Sequence, residues 1–438
     1  MLWFLYNVLF VIGFTLMLPH FLYRMWRRGG YRRGFAQRLG VYDPELRKRL
    51  LAQRRVWVHA VSVGEVFVAQ RFMKEFRARH PGTSFVLTTT TSTGHAVAER
   101  TLPAEDLLLY FPVDVPIVMR RVFATLRPTA LVLTECELWP NLIRQAHARG
   151  IPIFLINGRI SARSYRGYHA ARLFFRRIVN LLEVLCAQSA EDARRLVGLG
   201  AAPERVMVAG TAKYDVAQAD PRDAERAAAL LRSLGVPPDA ALVVGGSTWP
   251  GEETALLDLL KEWQATVPGL TLVLAPRHAE RCGEVAAEIR AHGFQMVRRS
   301  ELERPGFAAA VRPEVVLVDT TGELRIFYAC ATAIFVGKSL TRHGGQNIIE
   351  AAVYGKPVVV GPNMENFLGV MDDFLRAQAI MQVRDAAELA AAFRSLLQDE
   401  ALRAGYGERA RRLVAEQRGA LRRSVDAMDR AAAGRSRG

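Results

Sequence analysis

The first 23 residues carry no charged side chain, although the chain of 438 residues has a formal net charge of +16. Cysteine is scarce too. Cys136, Cys186, Cys282 and Cys330 form no Cys-x-x-Cys pair and mostly lie in apolar runs, which argues against a disulfide framework or zinc and suits reduced core residues of a cytoplasmic protein. The glycine turn at 245–246 is not the Gly-x-Gly-x-x-Gly dinucleotide pattern. No Asp-x-Asp pair stands near the strand ends of the second half, and no His/Asp/Glu cluster has metal-ligand spacing. The chemistry expected is metal-free and needs no cofactor.

The charge that is present is concentrated. Within residues 1–60, eleven Arg or Lys stand against Asp43 and Glu45, a local +9. A second block, residues 159–177, holds six arginines and no acid, interleaved with Tyr165, Tyr168, Phe174 and Phe175. Such charge suits nucleic acid or an anionic membrane surface, and the uncharged start decides for the membrane, with no nucleic-acid partner. At about 1.5 Å per residue a helix over the uncharged residues 1–23, within an anchor helix assigned to 1–26, roughly matches a bilayer core of about 30 Å. Arg24, Arg27, Arg28, Arg32 and Arg33 follow it and no cleavage site does, so it reads as a retained anchor of the inner membrane with the catalytic bulk on the cytoplasmic side. Pro19 and His20 leave a helix entering one leaflet open beside a full span. The competing reading is a buried helix of a soluble protein. Residues 27–50 form a basic juxtamembrane segment, each basic side chain contributing about 1 kcal/mol near anionic lipid. The block at 159–177 puts arginines on more than one side of a helix, which favours contact with phosphates over packing on a sheet; a solvated basic face is the rival reading.

From residue 51 onward apolar strands alternate with amphipathic helices, the pattern of parallel sheets covered on both faces. The length supports two such domains, 51–210 and 241–416, joined by 211–240, with a terminal helix over 417–438 returning toward the first domain. The alternating run Arg55-Val-Trp-Val-His-Ala-Val61 is a strand, and Val66, Ala69, Phe72, Met73 and Phe76 mark the helix after it. Glu65 sits at the handover, with Ser62 before it and Gly64 allowing a tight turn. A carboxylate at the carboxyl edge of a strand is a candidate general base, or else a first-turn residue that offsets the helix dipole. Thr91 and Ser92 open another helix and could hold an anion. Glu135 and Glu137 end a buried strand just before Pro140 and Asn141, where a site and a helix cap are equally good readings.

In the second half, Gly246 and Ser247 end a strand where glycine lets backbone approach a ligand. Arg277 and His278 emerge at the same edge, as do Gly337 and Lys338. Gly344 and Gly345 open a helix that carries Asn347 and Glu350 three apart on one face. A helix start facing phosphate, with an acceptor one turn along for ribose hydroxyls, is what a sugar-nucleotide donor requires; an ordinary helix residue is the alternative for Glu350. Pro357-Val-Val-Val-Gly-Pro362 reads as the last strand.

Two such domains resemble the GT-B glycosyltransferase architecture, two Rossmann-like parallel sheets. Val61-Ser-Val-Gly-Glu65, Glu137-Leu-Trp-Pro-Asn141, Gly246-Ser-Thr-Trp249, Ala275-Pro-Arg-His278 and Gly344-Gly-Gln-Asn-Ile-Ile-Glu350 are together similar to the 3-deoxy-D-manno-octulosonic acid (Kdo) transferases. The resemblance implies CMP-Kdo as donor, the lipid A precursor as acceptor, Glu65 as general base, and Arg277, Asn347 and Glu350 at CMP-binding positions. Cys136 and Gln346 depart from the pattern. A membrane-surface GT-B enzyme using a UDP-sugar and a non-catalytic membrane protein binding anionic lipid are the rivals.

Overall fold

The computed structural model describes residues 2–28, 34–309 and 311–435, with backbone alone for 18 and 20–28. Arg32 and Arg33 of the expected basic flank lie outside the described residues, as do the side chains of Arg24, Arg27 and Arg28. The chain divides into two compact units, Met1–Val216 with Arg418–Gly438, and Ala217–Gln417.

The first unit is built on a parallel sheet of seven strands: β1 (Val56–Ala60), β2 (Phe85–Thr89), β3 (Leu107–Tyr110), β4 (Ala130–Thr134), β5 (Ile153–Gly158), β6 (Val184–Ala187) and β7 (Val206–Val208). Their spatial order is β3-β2-β1-β4-β5-β6-β7. Every residue of β1 is buried, as expected of a strand covered on both faces. Trp57 points into a core with Phe123, Leu131 and Ile143, whereas Val56, Val58 and Ala60 pack with Phe72, Met73 and Phe85. The helix Ala420–Arg435 closes this second face with Leu421, Val425 and Met428. Asp215 fixes its start by accepting from the backbone N–H of Gly419 at 2.5 Å and Leu421 at 2.8 Å.

The second unit repeats the plan with β8 (Leu242–Thr248), β9 (Thr271–Pro276), β10 (Met296–Arg298), β11 (Val315–Leu317), β12 (Ala333–Val336), β13 (Val358–Val360) and β14 (Met381–Gln382). Their order is β10-β11-β9-β8-β12-β13-β14, again parallel. β14 corrects the expectation that β13 is the last strand, and β10 adds a strand the sequence does not announce. Both are edge strands of two or three residues, too short for hydrophobic periodicity to register.

The amino-terminal helix Leu2–Arg28 forms, with Pro19 inside it. Among the described residues no helix is long and apolar enough to cross a membrane; the side chains of residues 18 and 20–28 lie outside that description. Its amino-terminal turns have two faces. Trp3, Tyr6, Asn7 and Phe10 turn inward: Tyr6 Oη donates to Asp114 at 2.9 Å, and Asn7 Oδ1 accepts from Asn141 at 2.8 Å. Phe4 (74 % exposed), Leu5, Leu9, Ile12 and Leu16 (76 %) face outward. The helix is thus held to the first unit by polar contacts on one side and leaves apolar side chains uncovered on the other.

The arginine-rich block also differs from expectation. It folds into helices Ala162–Ala170 and Arg172–Val179 that do pack on the first core, through Tyr165, Tyr168, Phe174 and Phe175. Arg163, Arg166, Arg172 and Arg177 stay exposed, and Phe174 stacks on Tyr6 at 5.4 Å and meets Trp3 edge-on at 5.2 Å.

Candidate active site

In the first sheet the chain reverses its direction of travel between β1 and β4, and ligands of open α/β sheets bind outside the carboxyl ends of strands at such a point. Glu65 follows β1 and Glu135 follows β4. Glu65 is 6 % exposed and forms a capping box with Ser62. One carboxylate oxygen accepts from the Ser62 N–H at 3.2 Å and its hydroxyl at 2.9 Å. The other accepts from the Val61 N–H at 2.9 Å and the Thr134 hydroxyl at 3.1 Å. The cap and the candidate base are therefore one residue, and of these donors the exposed one is Ser62.

Gly64 is not needed for the turn. It lies in the first turn of the helix Val63–Arg79 without a left-handed backbone, and a Cβ there would meet nothing nearer than Ser62 Oγ at 3.9 Å. Glycine instead leaves open space beside Glu65. The turn of Thr91 and Ser92 packs against this one: the Thr91 hydroxyl donates to the Val61 carbonyl at 2.8 Å and accepts from the Gly94 N–H at 3.1 Å. Thr91 is thus engaged as an N-cap.

Glu135 takes a left-handed conformation, φ 56°, rare outside glycine and costly enough to mark a functional hypothesis. Burial, and then the charge of Glu65, push its carboxyl up to about 7, against the opposing pull of Lys213 and Arg159. The Glu137 carboxyl is likewise pushed up to about 7 by burial and by Glu65, with the Trp139 indole donating to it at 2.8 Å. Lys213 is driven down to about 8 by burial and by Arg159. The fold brings three acids and two cations to one sheet edge, and burial there raises the carboxyls of Glu135 and Glu137. Asn141 does not join them: its amide donates to the Asp114 carbonyl at 2.6 Å and to Asn7, holding the amino-terminal helix.

The second sheet reverses between β8 and β12, and Ser247 (φ 54°), at an irregularity near the end of β8, and Lys338 (φ 57°), just past β12, are also left-handed. The N–H of Arg277 donates to the Thr248 carbonyl at 3.1 Å, while His278 meets Trp249 edge-on at 5.3 Å. The Lys338 ammonium lies 5.0 Å from the Trp249 ring centre. Glu252, fully buried, was missed by the sequence reading. Its carboxylate accepts from the backbone N–H groups of Trp249, Lys338, Ser339 and Leu340 at 2.8–2.9 Å, so one acid fixes both strand-end turns. The signal was there, an acid three residues after Trp249, the spacing of a capping box.

Two expectations fail here. The glycines do not open space for a ligand: a Cβ on Gly246 would sit 2.0 Å from Tyr328 Oη, on Gly337 2.6 Å from the Ser247 carbonyl, and on Gly345 2.5 Å from Met364 Sδ. They admit neighbouring protein. The helix expected at Asn347 spans only Ile349–Ala352, too short to focus a dipole on phosphate. Asn347 and Glu350 do meet, the amide donating to the carboxylate at 2.9 Å, and Arg277 and Arg325 lie within electrostatic reach of Glu350. Among the described residues no group of three or more His, Cys, Asp or Glu could hold a metal ion.

Comparison with known proteins agrees with this division. The family described as 3-Deoxy-D-manno-octulosonic-acid transferase (kdotransferase) matches residues 33–216, and glycosyl transferases group 1 match residues 313–413. A UDP-GlcNAc 2-epimerase from Neisseria meningitidis superposes with a TM-score of 0.59 at 13 % identity, covering 86 % of this chain and 100 % of that one, a likeness of fold alone. The 3-deoxy-D-manno-octulosonic acid transferase of Haemophilus influenzae is 32 % identical, covering 90 % of this chain and 91 % of that one. That of Bordetella pertussis is 35 % identical, covering 92 % and 94 %. Likeness of that depth along almost the whole of both chains means that this protein belongs to the 3-deoxy-D-manno-octulosonic acid transferase family and is a glycosyltransferase.

Proposed function

We propose that the protein transfers Kdo from CMP-Kdo to the lipid A precursor in lipopolysaccharide synthesis, by an inverting, metal-independent displacement. The observation that carries this reading is the gathering of Glu65, Glu135 and Glu137 at the reversal point of the first sheet, beside the open space at Gly64. Glu65 accepts the proton of an acceptor hydroxyl, which takes the place of one of its present donors, most accessibly Ser62; general-base assistance contributes roughly 10²- to 10⁴-fold. The oxygen attacks the anomeric carbon as CMP leaves. In the second unit Arg277 and Lys338 supply the positive charge that a leaving phosphate needs, and Asn347 with Glu350 takes the nucleoside.

The acceptor is an acidic glycolipid held in a membrane by its acyl chains. A monotopic amino-terminal helix with an outward apolar face, next to exposed Leu173 (75 %) and the arginines of 163–177, supports work at the cytoplasmic surface of the inner membrane. Incubation of the purified protein with CMP-Kdo and lipid A precursor, followed by mass spectrometry, tests this. A product heavier by one or more Kdo units is expected, together with thermal stabilisation by CMP and not UDP. Stabilisation by UDP alone, with no Kdo product, would overturn it.

A further inference from the structure

His59, the fourth residue of the buried strand β1, is fully enclosed and stacks on Phe111 at a ring separation of 3.9 Å. Its Nδ1 lies 3.2 Å from the Thr88 carbonyl and 3.0 Å from the Thr88 hydroxyl oxygen. A carbonyl can only accept. The hydroxyl oxygen already accepts from the Trp57 indole at 2.9 Å and directs its own hydrogen toward the Val58 carbonyl at 3.4 Å. This network assigns the ring hydrogen to Nδ1. Nε2 is then a bare lone pair, buried and without a hydrogen-bond partner. What it faces is a carboxylate oxygen of Glu137 at 4.0 Å.

A lone pair and an ionised carboxylate repel each other, whereas a protonated carboxyl donates to the lone pair. Protonating the imidazole would resolve the conflict equally well, but burial drives His59 down to about 3 and keeps the ring neutral. A turn of the Glu137 side chain, which is 19 % exposed, brings its O–H into range. Glu137 is also faced by Glu65 from the helix Val63–Arg79, by Glu135 and Cys136 on its own turn, by Tyr168 from the helix Ala162–Ala170 and by the Trp139 indole. The indole N–H favours the ionised form by donating to it, the other groups are acids, and no cation stands among them.

We propose that Glu137 enters the reaction as a neutral acid whose proton is directed to the buried Nε2 of His59, which makes His59 a positioning residue for sugar transfer. The inference rests on the Kdo-transfer reading for its purpose: donor and acceptor are then both anionic, and a second ionised carboxylate beside Glu65 would repel them. Its chemistry rests only on the pair itself. The device separates the duties of the acids, with Glu65 taking a proton and Glu137 keeping one.

His59→Phe keeps a ring against Phe111 and removes Nε2. The carboxylic C=O infrared band that disappears in Glu137→Gln reports the Glu137 proton without any need for activity. Its loss on raising the pH should come about one pH unit lower in His59→Phe than in wild type. With CMP-Kdo as donor, the alkaline limb of kcat/KM should move down with it, so that activity near pH 8 falls about fivefold more than activity near pH 6. In a Glu137→Gln background the same change at 59 should leave the pH profile unmoved. If His59→Phe does not fold, the ¹⁵N shift of His59 Nε2 in the wild type should titrate with the Glu137 band, and in Glu137→Gln it should not. An unshifted Glu137 band in His59→Phe, or an Nε2 signal indifferent to Glu137, overturns the proposal. A linked pair in a protein that transfers no Kdo overturns the function and leaves the pair standing.

Discussion

Ser62 and Glu65 cap each other: the Ser62 hydroxyl and N–H donate to the Glu65 carboxylate, while the Glu65 N–H donates to Ser62 Oγ at 3.4 Å. Glutamine serves the same box nearly as well as glutamate. Even so, because both carboxylate oxygens of Glu65 accept hydrogen bonds, the NH2 of Glu65→Gln would leave one pair of donors unmatched at about 1–3 kcal/mol; the variant should fold, bind CMP normally, and transfer sugar roughly 10²- to 10⁴-fold more slowly. Paired thermal melts and transfer assays check this, and turnover near wild type would remove Glu65 from the base role.

Gly64 offers a sharper probe of the space beside that acid. A methyl group there meets nothing within van der Waals contact except at the edge of Ser62 Oγ, and alanine is the better helix former by up to about 1 kcal/mol. Gly64→Ala should fold with equal or higher stability. Its KM for the acceptor should rise, because the added methyl fills space that the acceptor uses. An unchanged KM would mean the acceptor approaches elsewhere.

The Glu137 carboxyl sits at about 7 in the fold, above the ordinary value of 4.5. The folded state thus holds an extra proton between those values, and the stability this contributes is full below about 4.5 and lost as pH rises through 7. Glu137→Gln cannot ionise. Its stability relative to wild type should therefore improve between pH 5 and pH 8 by on the order of 1–3 kcal/mol, read from denaturant midpoints at the two pH values. A difference independent of pH would show that Glu137 titrates normally.

Lys338 occupies a left-handed backbone, a conformation that costs a side-chain-bearing residue roughly 1–2 kcal/mol and glycine little. Lys338→Gly should be no less stable than wild type despite glycine's greater chain entropy. It should also lose several-fold in affinity for CMP-Kdo, as titration calorimetry would measure, because the ammonium above Trp249 is gone. Equal affinity would leave the strain without a purpose.

Tyr6 holds the amino-terminal helix by one hydrogen bond to Asp114, which also accepts from the N–H groups of Asn141 and Leu142. Tyr6→Phe keeps the stack on Phe174 and removes only that bond, worth about 1 kcal/mol. The expected result is a Tm lower by about 2–4 °C with unchanged binding to anionic vesicles, since the outward apolar face is untouched. Loss of vesicle binding would show that the latch, and not that face, carries the membrane contact.

Most of the fold was written locally. Continuous apolar runs such as 130–134 and 153–156, each followed by an amphipathic helix, dictate parallel strands buried on both faces, and the strand-end positions of Glu65, Glu135, Arg277 and Lys338 follow from where those runs stop. What the sequence did not determine depends on neighbours distant along the chain. Whether Gly246 admits a ligand or Tyr328, and whether Asn141 faces a substrate or Asn7, turn on what packs opposite. The proton balance at Glu137 is of the same kind. Hydrophobic period is a property of adjacent residues and survives in one dimension, whereas burial and the field of Glu65 and His59 exist only once strands far apart in sequence are laid side by side.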